Sequence, residues 1–145
     1  MLQRSDMRVF CGTDIVEISR MLRNITPKDD GSLSSFVTRC FTEAEISYCN
    51  SKKLDSKRAE SFAGRYAAKE ACSKALGTGV MTEGIGFLDI EILRDEKGSP
   101  YLVLHGKAKE RADALGVISK AISISHDGEY AISYCTLLSD MEEPS

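Results

Sequence analysis

Nowhere in this sequence does an apolar run approach the roughly 18 residues of a membrane span, and Met1 to Phe10 lacks the apolar core of a signal peptide. A cytoplasmic protein that does not enter the membrane is expected. No C-x-x-C pair occurs. The five cysteines, Cys11, Cys40, Cys49, Cys72 and Cys135, are odd in number and irregularly spaced, which argues against a disulfide frame or a zinc site and for reduced, mostly buried small residues. Internal repeats and low-complexity segments are absent. So is a wholesale nucleic-acid footprint: 19 basic residues meet 22 acidic ones for a net charge of −3, with Arg4, Arg8, Arg20 and Arg23 making the start basic and Asp140, Glu142 and Glu143 the tail acidic. What is present, 145 residues at 42% hydrophobic content, suits one domain with a proper core and is short for two. A single domain over 1–145 is expected, with 1–7 and 139–145 as loose ends.

The most informative stretch is Arg58 to Gly79. Alanine, Glu, Lys, Arg and Leu dominate as far as Leu76 and no proline interrupts, so one long helix is expected, stopped by Gly77. On it Phe62, Tyr66, Glu70 and Lys74 recur every four residues and share a face, so a carboxylate and an ammonium continue a row that begins as aromatic core. Ala63, Ala67 and Ala71 form a neighbouring row of very small side chains that lets another element approach the backbone beside Glu70 and Lys74. The plainer interpretation is an ordinary i,i+4 surface pair worth about 0.2–0.5 kcal/mol. A site would need a second acid from elsewhere. Gly77, Thr78 and Gly79, followed by Gly84 and Gly86, offer backbone N–H groups and a hydroxyl as phosphate-cradling loops do. This is not a Walker loop: its glycines follow a helix, so an anion would meet the negative end of the macrodipole and depend on Lys74, nearby arginines or a metal ion.

Val9 to Val16 has the apolar, β-branched character of a strand, with Asp14 near its end. Asp14 either caps the helix that starts near Glu17 or supplies the second carboxylate for Glu70. A short helix over Glu17 to Leu22 carries Arg20, with Arg23 just beyond, and a polar loop precedes a short apolar turn at Phe36 to Cys40. Thr42 to Glu45 fits a capping box. Tyr48 is expected near the surface and Asn50 to Lys57 as a solvated linker. Phe87 to Leu93 alternates as a strand, and with Tyr101 to Leu104 makes a hairpin around Asp95–Gly98. Lys107 to Leu115 reads as a helix stopped by Gly116. Ala121 to Ser125 and Tyr130 to Leu137 form a second hairpin, with His126 at its tip side among Ser123, Ser125 and Asp127. This order argues an α+β domain, an antiparallel sheet packed on a long central helix.

Three blocks, Gly12-Thr-Asp14-Ile-Val-Glu-Ile-Ser-Arg20, Phe62-Ala-Gly-Arg65-Tyr-Ala-Ala-Lys69-Glu70-Ala-Cys-Ser-Lys74-Ala-Leu-Gly77-Thr-Gly79 and Ser123-Ile-Ser-His126, together resemble the holo-acyl-carrier-protein synthases, the short bacterial type of 4′-phosphopantetheinyl transferase. The Lys-Glu-Ala-x-x-Lys-Ala core is the most specific part. The resemblance implies the 4′-phosphopantetheinyl transferase fold and transfer of the 4′-phosphopantetheine arm of coenzyme A to a serine of acyl carrier protein, in support of fatty acid biosynthesis. It also implies release of adenosine 3′,5′-bisphosphate and a requirement for magnesium. It implies Asp14 and Glu70 as magnesium ligands, Lys74 on a coenzyme A phosphate, Gly77, Thr78 and Gly79 along the nucleotide, and Arg65 and His126 as further candidates for the same ligand. Arg20, Arg23 and Arg39 match or lie near positions where the family grips its acidic carrier; the serine-rich insert before Phe36 shifts the alignment of Arg39. A homotrimer with active sites between subunits is also implied. The chemistry is consistent: magnesium takes one or two carboxylates plus phosphate oxygens, and a cation with Lys74 stabilises charge building on the diphosphate. The base that takes the serine proton stays open between a metal-bound water, Glu70 and His126. The competing reading is a non-catalytic module whose arginines dock an acidic partner protein.

Overall fold

The computed structural model describes residues 7–78 and 84–141. Strand β1 (Arg8–Glu17) runs straight into helix α1 (Ile18–Ile25), followed by α2 (Ser35–Cys40), α3 (Glu43–Asn50) and the 21-residue α4 (Asp55–Ala75). Beyond it lie a 3-10 turn (Phe87–Asp89), β2 (Ile90–Arg94), β3 (Pro100–Leu104), α5 (Gly106–Ala114), β4 (Val117–Asp127) and β5 (Tyr130–Ser139). The strands make two antiparallel sheets, β1-β5-β4 and β2-β3. The α+β expectation holds, with the sheet in two pieces. Among the described residues no helix is long and apolar enough to cross a membrane.

Helix α4 is the axis of the molecule because its buried face is mostly alanine and other small residues. Ala59, Ala63, Ala67, Ala68 and Ala71 are fully buried, and the three-stranded sheet lies directly on them. Alternation in β1 and β5 selects the inward set: Phe10, Gly12, Asp14 and Val16 on one, Ala131, Ser133, Cys135 and Leu137 on the other. The closest approach is at Gly12, where an added Cβ would stand 2.1 Å from the Ala71 carbonyl oxygen and 2.8 Å from the Ala75 nitrogen. Around the other side of α4, Phe62 and Phe41 meet edge to face at 4.9 Å between ring centres, each burial stabilising by about 1.5–3 kcal/mol.

The capping box of α3 forms as expected: Glu45 N–H donates to Thr42 Oγ1 at 3.3 Å and Thr42 N–H to Glu45 Oε1 at 2.9 Å. Glu45 does more than cap. It is wholly buried, and Lys69, equally buried, donates to its Oε1 at 2.7 Å and to the carbonyls of Phe87 and Ile90 at 2.9 and 2.7 Å. Burial pulls the Lys69 ammonium below the usual lysine range, and Glu45 opposes that pull. Two local expectations change. The long helix begins three residues before Arg58, at Asp55, because Asp55 lies in the first turn and pairs with Arg58. Phe87 to Asp89 curls into a 3-10 turn instead of starting the strand, because the Asp89 carboxylate accepts from Gly86 N–H at 3.1 Å, and Leu88 is left exposed. All five cysteines are free, and Cys40, Cys49, Cys72 and Cys135 are buried.

Candidate active site

The Gly12 contact sets the site. It brings β1 against the last turns of α4, so that two residues along, Asp14 faces the same helix side as Glu70 and Lys74. Lys74 Nζ donates to Asp14 Oδ1 at 3.1 Å and to the Thr13 carbonyl at 2.9 Å. The i,i+4 pairing with Glu70 that spacing alone suggests is not made; Lys74 turns across to the strand. Asp14 does not cap α1, whose N-cap is Glu17 without a side-chain cap bond. Burial first, and then the negative charge of Asp14, push the Glu70 carboxyl above the ordinary glutamate range, with Lys74 opposing. Two carboxylates lining one cleft, one of them held above its ordinary range by burial and by the other's charge, make a place for positive charge.

That cleft, of about 390 Å³, is lined by Asp14, Glu17, Arg20, Asn24, Phe36, Tyr66 and Glu70 among others. Burial and the neighbouring Glu70 charge push the Tyr66 phenol up to about 12, so it stays protonated. The Tyr66 ring lies between Phe36 and Phe87, at 5.6 and 5.1 Å between centres, and walls the cleft on its apolar side. At the end of α4, Gly77 takes φ +79°, with Gly77 N–H donating to Lys74 O at 3.0 Å and Thr78 N–H to Ser73 O at 3.1 Å. This is the six-to-one and five-to-two bonding of a Schellman cap. Thr78 is 9% exposed and its hydroxyl has no partner among the described residues. Gly79 lies outside the described residues.

One protomer thus gathers Asp14, Glu70 and Lys74, with Arg20 at the rim. It does not bring Arg65 or His126 to them. His126 Nε2 lies 3.1 Å from the Glu60 carbonyl and rests on Gly64, about 15 Å along the helix axis from Lys74. Arg65 points about 140° around α4 from Glu70. It is 2% exposed, donates to Ser61 Oγ at 3.0 Å and covers the Tyr48 ring at 4.2 Å, with Lys52 and Arg94 at 4.7 and 5.5 Å from the same ring. Arg65 and Arg94 border a cleft of about 430 Å³ that Asp95 and Glu96 also line, and the buried Nε atoms of both arginines have no partner among the described residues. Arg20 and Arg23 are exposed on α1 and Arg39 on α2, where Arg39 Nε donates to Ser35 O at 3.2 Å. Sequence reasoning gave no role to Gly12, Lys69 or Arg94. Lys69 had a readable signal, a lysine set among Ala67, Ala68 and Ala71 on the core side of the helix.

The fold has its counterpart in known proteins. The family model of the 4′-phosphopantetheinyl transferase superfamily matches residues 10–135, and the chain belongs to that family. Among its relatives, the holo-[acyl-carrier-protein] synthase of Ruminiclostridium cellulolyticum is 44% identical over 131 residues, covering 90% of this chain and 92% of the relative. That of Thermoanaerobacter sp. is 45% identical over 127 residues, covering 88% and 85%. Similar solved structures include the Helicobacter pylori holo-[acyl-carrier-protein] synthase in complex with coenzyme A, at TM-score 0.71 and 35% identity over 88% of this chain and 98% of that one. The Bacillus anthracis enzyme, solved in complex with CoA (3′,5′-ADP), follows at TM-score 0.72 and 36% identity over 92% and 98%.

Proposed function

We propose that this chain is a holo-[acyl-carrier-protein] synthase, moving the 4′-phosphopantetheine group of coenzyme A onto a serine of acyl carrier protein in the cytoplasm. The observation that carries the reading is the bond of Lys74 to Asp14, 60 residues before it in the chain, beside the cleft that Asp14 shares with Glu70. The serine oxygen forms the new bond to the phosphorus next to the pantetheine, the phosphoanhydride bond breaks, and adenosine 3′,5′-bisphosphate leaves. Lys74 holds Asp14 in place and faces the leaving phosphate, where a fixed positive charge counts most. Asp14 and Glu70 suit magnesium, being two hard oxygen donors with room for phosphate oxygens and water; when bound, the ion supplies positive charge to the diphosphate. Thr78 and Gly77 lie along the nucleotide.

The separation of Arg65 and His126 from this cleft supports active sites shared between subunits. The cleft of Arg65 and Arg94 then serves the nucleotide bound at a neighbour's Asp14 and Glu70. The outer face of the three-stranded sheet fits such an assembly. Val9, Ile15 and Tyr134 are 64%, 58% and 49% exposed there, with Ile132 and Tyr130 beside them, an apolar face that a second copy covers in a homotrimer. Light scattering is expected to give three times the chain mass, and Ile132→Asp to lower it. A monomer with full activity would refute the shared site.

Arg20, at the rim of the cleft, with Arg23 on the same helix and Arg39 on α2, presents positive charge where an acidic carrier would bring its serine. Arg20→Glu is expected to raise the Michaelis constant for the carrier at least about tenfold with little change in turnover, and added salt to weaken the parent in the same direction. A salt-insensitive Michaelis constant would remove the electrostatic dock. The test of the activity itself is mass spectrometry of an unmodified carrier protein after incubation with this protein, coenzyme A and magnesium. The carrier should gain one phosphopantetheine, and no gain would refute the reading.

A further inference from the structure

We propose that Arg111 of α5 is a phosphate-positioning residue of the coenzyme A site, making the electronegative end of α4 acceptable to an anion. The inference rests on the transferase reading. Helix α4 ends in carbonyl groups equivalent to about half a negative charge, directly beside Gly77 and Thr78, and unaided this end repels phosphate. Arg111 Nε donates to the Leu76 carbonyl, the cap residue of α4, at 3.0 Å. A Cβ placed on Gly77 would stand 3.4 Å from Arg111 Nη2. A guanidinium, always charged, therefore lies against the loop at the point where the dipole is unfavourable, and its full charge outweighs the helix end.

A second observation marks the same spot as a ligand site. Thr78 carries a hydroxyl in a nine-tenths buried position with no partner among the described residues, an arrangement that a phosphate oxygen would complete. Lys74, one helical turn before Thr78, faces Asp14 and Glu70 on one side of this end, and Arg111 flanks it on the other. The recognised chemistry is a phosphate, and coenzyme A has two sources of it, the diphosphate and the 3′-phosphate.

The experiment compares the full-length parent with Arg111→Met, measuring calorimetric binding of coenzyme A and of 3′-dephospho-coenzyme A, and steady-state transfer to the carrier. Arg111→Met is expected to raise both the dissociation constant and the Michaelis constant for coenzyme A about tenfold or more, with turnover, carrier Michaelis constant and oligomeric mass unchanged. If the 3′-phosphate is the group held, the parent's preference for coenzyme A over the dephospho compound collapses in the variant. If the diphosphate is held, both ligands weaken alike. Either pattern supports the proposal. A folded variant that binds both ligands as the parent does would make Arg111 a helix cap only and overturn it. Should Arg111→Met not fold, Arg111→Lys keeps the charge without the forked geometry; a rise of about two- to fivefold in the coenzyme A constants is expected, and none would overturn the proposal. Failure of the parent itself to bind coenzyme A would instead sink the transferase reading.

Discussion

Glu70→Gln is expected to lower magnesium-dependent transfer by at least about 100-fold, while leaving a folded protein that is more stable than the parent at neutral pH. The two effects have one origin. The folded molecule holds Glu70 half-buried and beside Asp14, which raises its pKa from the ordinary 4.5. A carboxyl whose folded pKa lies above its unfolded one binds its proton more tightly in the folded state, so ionising it costs stability. The cost is absent below the unfolded value, builds as pH rises through the interval between the two, and is complete above the folded value. Glutamine removes it. The melting temperature of the variant should therefore exceed the parent's at pH 7.5 and converge with it below about pH 4.5. Transfer within threefold of the parent would remove Glu70 from the site and favour the docking-module reading. A lower melting temperature at pH 7.5 would show that the carboxylate makes a stabilising contact which the glutamine amide does not replace.

The largest expected loss of stability is at Gly12. A Cβ there would lie 2.1 Å from the Ala71 carbonyl oxygen and 2.8 Å from the Ala75 nitrogen, both main-chain atoms of the central helix that no rotamer change can move. Gly12→Ala must push β1 off α4, at a cost of about 3 kcal/mol or more, or roughly 10 °C in melting temperature for a chain of this size. Transfer should fall further than the remaining folded fraction explains, since β1 carries Asp14 and the displacement opens its contact with Lys74. Gly86→Ala is the control: φ is −104° and an added Cβ would meet nothing within 4 Å, so a change under about 0.5 kcal/mol is expected. A Gly12→Ala protein as stable as the control would mean that the strand and helix tolerate a wider spacing.

Much of this was legible in the chain because its signals are local. Helix α4 announces itself by composition and its glycine stop, the α3 cap by Thr42 and Glu45, and β4–β5 by apolar, β-branched runs on either side of Asp127-Gly128. The alanine row predicted a close approach beside Glu70, and Gly12 is the residue that makes it. What stayed hidden depends on pairing between distant segments. Lys74 is four residues from Glu70, yet its partner is Asp14, because the ladder of β1 on β5 presents that carboxylate to the helix. The sheet face bearing Val9, Ile15 and Tyr134 could not be told from a core face by alternation, since both faces of those strands carry apolar residues. Phe87 to Asp89 reads as strand until the Asp89 carboxylate bonds back to Gly86.

Lys69 and Glu70 are consecutive residues of α4 with opposite tasks. Lys69 reaches inward to three oxygen atoms on α3, the 3-10 turn and β2, all within 2.9 Å, and Glu70 reaches outward to the cleft. A helix bolted in that way can neither roll about its axis nor slide along it without tearing a buried ammonium from every oxygen that satisfies it. The azimuth of Glu70 is thereby set before any substrate arrives, and the reacting groups meet a carboxylate that has no search left to make.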